Sequence, residues 1–150
     1  MKKKILIIDD DIPKLNALQA FIEKNSPDSS ISIARSYNSG LGEVIRHTPD
    51  LILLDMSMPT YDTQDGSPGG KPRPLAGLDI LKEVRRKKYA LKAIVVTQFH
   101  VFGDKDEKSL EELTKTLEQE FSEYFLGTVL YKSSTDEWQQ LLLRHLEKVC

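Results

Sequence analysis

A chain of 150 residues, 39% hydrophobic and 29% charged with a formal net charge of -2, has ordinary globular composition and the length to bury a core of its own. Its one cysteine, Cys150, excludes an intrachain disulfide framework and fits a reducing compartment. The apolar run after the basic start ends at three aspartates, too short for export, and nothing approaches the roughly 18–20 apolar residues of a membrane-spanning helix. A cytoplasmic protein is expected.

In chain order, short aliphatic runs alternate with helical patterns. The runs are residues 4–8, 30–34, 51–54, 93–96 and 128–131. Four are almost wholly apolar, as strands covered on both faces should be, while residues 30–34 alternate like an edge strand. A first helix follows Pro13 with Leu15, Leu18 and Ile22 on one face. A second runs over residues 38–47 and stops before Pro49, and a third spans 78–88 with Leu78, Leu81 and Val84 inward. For the fourth, Leu110, Leu113, Leu117, Phe121 and Tyr124 sit at helical spacing, so the pattern predicts a helix over 105–125, nearly twice its neighbours' length. The last opens at a capping box, Ser134 with Glu137, and buries Trp138, Leu141, Leu142 and Val149.

Strict alternation of strand and helix predicts an α/β, doubly wound, five-stranded parallel sheet with right-handed crossovers and helices on both faces. The whole of 1–150 reads as one domain. Residues 59–77 interrupt the rhythm: they hold four of the 7 prolines and four of the 8 glycines, so an irregular insertion loop is expected over about 60–76.

In open α/β sheets ligands bind beyond the carboxyl ends of the strands. The first strand closes with Asp9, Asp10 and Asp11, the third with Asp55, the fourth with Thr97 and the fifth with Lys132. Neighbouring strand ends lie about 5 Å apart, so three carboxylates would gather and need a counter-charge; oxygen ligands at a partly open site suit Mg²⁺. Lys132 adds a positive charge and Thr97 a hydroxyl, which together define a place for a phosphoryl group. Each residue has a plainer use as well, and for Asp11 helix capping is the better reading. His47, His100 and His145 lack metal-ligand spacing, and no Gly-rich phosphate loop or dinucleotide fingerprint is present. The basic clusters at 2–4 and 85–88 are not interleaved with stacking aromatics, so no direct nucleic-acid binding is expected.

The run from Lys4 through Ile8 into Asp9, Asp10 and Asp11 is followed by Pro49-Asp50 ahead of residues 51–54. Then come Asp55-Met56-Ser57-Met58-Pro59, Gly77-Leu78-Asp79, Val95-Val96-Thr97 and Tyr131-Lys132. In this order the segments resemble the receiver domain of two-component response regulators, over the whole chain. The resemblance implies a flavodoxin-like strand order 2-1-3-4-5. It also implies that Asp55 is the phosphoacceptor, that Asp10 and Asp55 bind Mg²⁺ with the Ser57 carbonyl, and that Asp9 reaches the metal mainly through water. Thr97 would follow the phosphoryl group as the switch, and Lys132 would pair with it. Departures from the family pattern are Gln98 after the switch threonine, Val129 where an aromatic is usual, Ser133 where proline is usual, the long loop and the long fourth helix.

The resemblance implies a stand-alone receiver that accepts phosphate on Asp55 from a sensor histidine kinase or phosphotransfer protein. It would engage a separate effector through the fourth helix, fifth strand and fifth helix, or through the inserted loop. Such a protein is not an enzyme, although it assists its own phosphorylation and dephosphorylation. The departures leave room for a pseudo-receiver that binds partners without phosphorylation. A phosphatase of the haloacid dehalogenase type would need a second Asp two positions after Asp55, where Ser57 stands.

Overall fold

The computed structural model describes residues 3–62, 72–98, 101–102 and 108–149. The elements are β1 (Lys4–Ile8), α1 (Ile12–Asn25), β2 (Ser30–Ala34), α2 (Tyr37–His47), β3 (Leu51–Leu54), β4 (Met58–Pro59), β5 (Pro72–Arg73) and α3 (Ala76–Lys87). They continue with β6 (Lys92–Thr97), β7 (Val101–Phe102), β8 (Lys108–Ser109), α4 (Leu110–Glu120), β9 (Phe125–Leu130) and α5 (Glu137–Leu146). The main sheet is parallel in the order β2-β1-β3-β6-β9, the expected doubly wound arrangement with its fourth and fifth strands in β6 and β9.

Side chains alternate across a strand, and here the alternation sorts the core into two layers. Ile5, Ile7, Leu51, Leu53, Ile94 and Val96 pack with Leu15, Leu18 and Ile22 of α1 and with Trp138, Leu142 and Leu146 of α5. Leu6, Ile8, Ile52, Leu54, Ala93 and Val95 pack on the other side with residues of α2, α3 and α4. Trp138 packs against Phe21 and Tyr131 in tilted contacts, with ring centroids 5.5 and 5.1 Å away. The edge strand β2 is mostly exposed, which matches its mixed composition.

Three expectations need correction. The fourth helix is not extended over 105–125; α4 is eleven residues, Leu110–Glu120. Ser109 caps its start by accepting a hydrogen bond from the Glu112 N–H, and Lys108 and Ser109 themselves pair antiparallel with residues 101–102. At the far end Phe121 is the C-cap of α4, Tyr124 lies in the turn beyond it and Phe125 opens β9, yet all three pack in or against the core, so the apolar spacing runs on past the helix. The Ser134 capping box is also unused: α5 begins after Asp136 without a side-chain cap, and Leu141 stays 38% exposed while Leu146 is buried.

The inserted loop is the third. Its flanks are regular, since Met58 and Pro59 pair with Arg73 and Pro72, and α3 opens at Ala76. The start of the loop packs on α2: the Asn38 N–H donates to the Thr60 carbonyl at 2.9 Å and the Ser39 hydroxyl to Asp62 at 2.7 Å. Arg73 lies 3.8 Å over the Tyr37 ring and pairs with Asp79 at 2.7 Å. Residues 63–71, at the centre of the expected loop, lie outside the described residues, as does His100.

Candidate functional site

The register of the sheet builds the site. Ile8 pairs with Leu54, so the next residues, Asp9 and Asp55, stand on adjacent strand ends. Both continue the odd-numbered rows of Ile5, Ile7, Leu51 and Leu53, which face α1 and α5. Backbone bonds hold the ends together: the Asp55 N–H donates to the Ile8 carbonyl at 3.1 Å, and the Asp9 N–H to the Ala34 carbonyl at 3.0 Å. The two carboxylates are almost fully buried, at 1% and 2% exposure.

A residue that the sequence analysis did not single out completes this pair. Lys14, in the opening turn of α1, has no exposed surface, and its Nζ lies 2.7 Å from Asp9 Oδ2 and 3.0 Å from Asp55 Oδ2. The helix carries it there because Lys14 precedes the buried Leu18 by four residues and the buried Phe21 by seven, in phase with the core stripe. A cation at a core position of an otherwise apolar face was the available signal. The remaining oxygens are held by backbone: Asp9 Oδ1 accepts from the Asp11 N–H at 3.0 Å, and Asp55 Oδ1 from the Met56 N–H at 2.7 Å. Removing one member of a buried ion pair strands the other charge, at a cost of about 3–5 kcal/mol.

Asp10 is exposed at the rim of the cluster. Asp9, Asp10 and Asp55 each present one ligand atom, all within 4.8 Å of one another. Burial pushes the Asp9 carboxyl up to about 6, with Lys14 opposing the rise and Asp55 adding to it. Burial raises Asp10 as well, and the charge of Asp55 contributes. An all-oxygen set with a solvent-facing member fits a hard divalent cation, and the buried carboxylate beside it is a potential nucleophile.

The other expected site residues are distributed unevenly. Thr97, fully buried, closes β6, and its carbonyl accepts from the Tyr131 N–H at 2.8 Å, which ties it to the end of β9. Lys132 follows that strand but its side chain is exposed and has no ion pair with Asp9 or Asp55 among the described contacts. Ser57, half-buried, lies two residues beyond Asp55. Asp11 sits at the N-cap position of α1, yet its side chain makes no cap; it accepts from Gln98 Nε2 at 3.1 Å instead, which links the end of β6 to the β1–α1 connection.

Behind the site, α3 approaches closely. Gly77 donates to the Met56 carbonyl at 3.0 Å, and a Cβ in its place would lie 2.5 Å from the Asp55 carbonyl oxygen. Glycine is required there by this contact with the strand end.

A family model described as the response regulator receiver domain matches residues 5–116. The chain is 32% identical over 149 residues to the Detocs response regulatory protein DtcB of Enterobacter cloacae, covering 97% of this chain and 99% of that protein. Among solved structures, the CheY-like receiver domain protein of Methanospirillum hungatei superposes with a TM-score of 0.64 at 20% identity, over 99% of this chain and 94% of that one. CheY4 of Vibrio cholerae gives a TM-score of 0.62 at 16% identity over 100% of both chains. These two structures speak for the fold, and the family model and the Enterobacter relative for the family. The acidic cluster at the carboxyl edge of a sheet ordered β2-β1-β3-β6-β9 agrees with them, and the chain belongs to the response regulator receiver domain family.

Proposed function

We propose that Asp55 accepts a phosphoryl group from a phosphohistidine of a sensor kinase or phosphotransfer protein, and that the chain signals by contact with a separate effector. One observation carries this reading: a buried Asp55 carboxylate within 4.8 Å of ligand oxygens from Asp9 and Asp10, at the strand ends where this fold binds ligands. In the transfer, a carboxylate oxygen of Asp55 bonds to phosphorus as the N–P bond breaks, and the departing imidazole takes up a proton. The protein supports its own phosphorylation and dephosphorylation without being an enzyme for another substrate.

Asp9, Asp10 and Asp55, with the Ser57 carbonyl, would hold Mg²⁺, which supplies charge neutralisation of the phosphoryl oxygens when bound. Thr97 would donate its hydroxyl to the phosphoryl group and so report its presence. Lys132, exposed at the end of β9, would pair with the phosphate by swinging its side chain inward. The effector face is assigned to α4, β9 and α5, where Leu141 and Leu143 each stand 38% exposed, with the inserted loop as a second contact. The proposed place of action is the cytoplasm; no helix among the described residues is long and apolar enough to cross a membrane.

A small phosphodonor or a cognate kinase, with Mg²⁺, is expected to label Asp55 with a hydroxylamine-sensitive acyl phosphate, and Asp55→Asn to abolish it. Equal labelling of the variant overturns the assignment. The Lys14 ion pairs favour a second reading, a phosphorylation-independent interaction adaptor, because they already neutralise part of the cluster. Absence of any label on the wild-type protein, with partner binding intact, selects it.

A further inference from the structure

Among the described residues Lys14 is the buried lysine, and nothing in the phosphotransfer just set out uses it. An ammonium without exposed surface persists only where anions replace its water. Here two do so, at 2.7 and 3.0 Å. On each carboxylate the ammonium takes Oδ2, the oxygen left over after a backbone N–H has engaged Oδ1. A divalent ion ligated by Asp10 and Asp55, with Asp9 reached through water, needs the Asp55 carboxylate at about 2.0–2.1 Å for Mg²⁺ and the Asp9 carboxylate for a bound water, the same two groups that the ammonium occupies. Two cations cannot share that gap without strong repulsion.

We propose that Lys14 is the resident cation of this site, and that a divalent ion binds only by displacing its ammonium from Asp9 and Asp55. The inference rests on the metal assignment above and adds a competitor to it. Lys14 holds the two buried carboxylates together before metal arrives, so the metal-free site is already assembled. The ion then has to work against a tethered positive charge, which weakens its binding. Because Lys14 sits in the opening turn of α1, its displacement is felt by that turn.

The test is a Mg²⁺ titration followed by amide shifts in the wild-type protein, Lys14→Met and Lys14→Arg. Met keeps the aliphatic stem and removes the charge, and is expected to tighten Mg²⁺ binding by about tenfold or more. Arg keeps the charge and is expected to leave binding weak. A Met variant that binds Mg²⁺ no more tightly than wild type overturns the proposal. Wild-type protein gives an answer that does not depend on any variant folding. Lys14 is expected to resist reductive methylation without metal and to become modified over the Mg²⁺ range that saturates the amide shifts; protection at saturating Mg²⁺ overturns displacement. Acyl-phosphate labelling of Asp55 is scored separately. Its failure alongside a tightened Met variant rejects the phosphoacceptor reading and keeps this one, while labelling with unchanged Mg²⁺ affinity rejects this one alone.

Discussion

At the residue scale the site is governed by which carboxylate oxygens are already occupied. Backbone N–H groups hold one oxygen each of Asp9 and Asp55, and Lys14 holds the other. At the edge of the site the exposed Gln98 side chain donates to Asp11 at 3.1 Å, joining the end of β6 to the β1–α1 connection. We propose that this link screens an Asp55 acyl phosphate from water, which a small residue at 98 would not do. Gln98→Ala is therefore expected to shorten the lifetime of the Asp55 acyl phosphate several-fold while leaving Mg²⁺ affinity nearly unchanged, because Gln98 touches no proposed metal ligand. The decay of labelled protein after donor removal measures this, and an equal or longer lifetime rejects the shielding role.

At the scale of elements, the two glycines Gly77 and Gly42 make opposite predictions from the same substitution. Gly77, in α3, abuts the backbone carbonyl of Asp55, which cannot retreat without disturbing the strand end. Gly77→Ala is expected to destabilise by about 1–3 kcal/mol in urea unfolding. Gly42 lies inside α2, and a Cβ there would meet only the end of the Arg46 side chain, at 3.2 Å. Gly42→Ala is expected to stabilise by up to about 1 kcal/mol, since the arginine moves aside and glycine is a poor helix residue. Comparable effects at both positions would mean that the α3 contact is looser than the structure shows.

Across the whole molecule, α5 and β9 close the sheet through a steric match of Gly127 and His145. A Cβ at Gly127 would run into the His145 ring, so the imidazole lies over the bare strand backbone. Burial lowers the His145 pKa from its ordinary 6.5, and the charges of Lys148 and Arg144 act in the same direction. The unfolded chain then binds more protons between the lowered value and 6.5, so stability rises with pH across that window. The contribution is complete above pH 6.5 and is lost as pH falls towards the lowered value. Urea midpoints measured at about pH 5.5 and 7.5 are expected to differ less in His145→Gln than in the wild type, once other groups cancel in the comparison. An unchanged difference rejects the role of His145.

The sequence by itself determined the five-strand parallel plan and the gathering of Asp9, Asp10 and Asp55. Strands covered on both faces must be apolar almost throughout, so residues 51–54 announce a buried strand and Asp55 its end. The same local logic failed at α4, where Phe121 and Tyr124 keep the helical spacing although Phe121 is the C-cap of the helix and Tyr124 lies in the turn beyond it. Core positions record burial, and burial does not say which backbone delivers it. Tertiary structure alone decided the partners of Lys14, the link from Gln98 to Asp11 and the exposed position of Lys132. Each depends on segments far apart in the chain meeting at one sheet edge. A lysine in phase with leucines is legible as an anomaly, but its meaning comes from two carboxylates, five residues before it and 41 after it, that only the folded sheet places side by side.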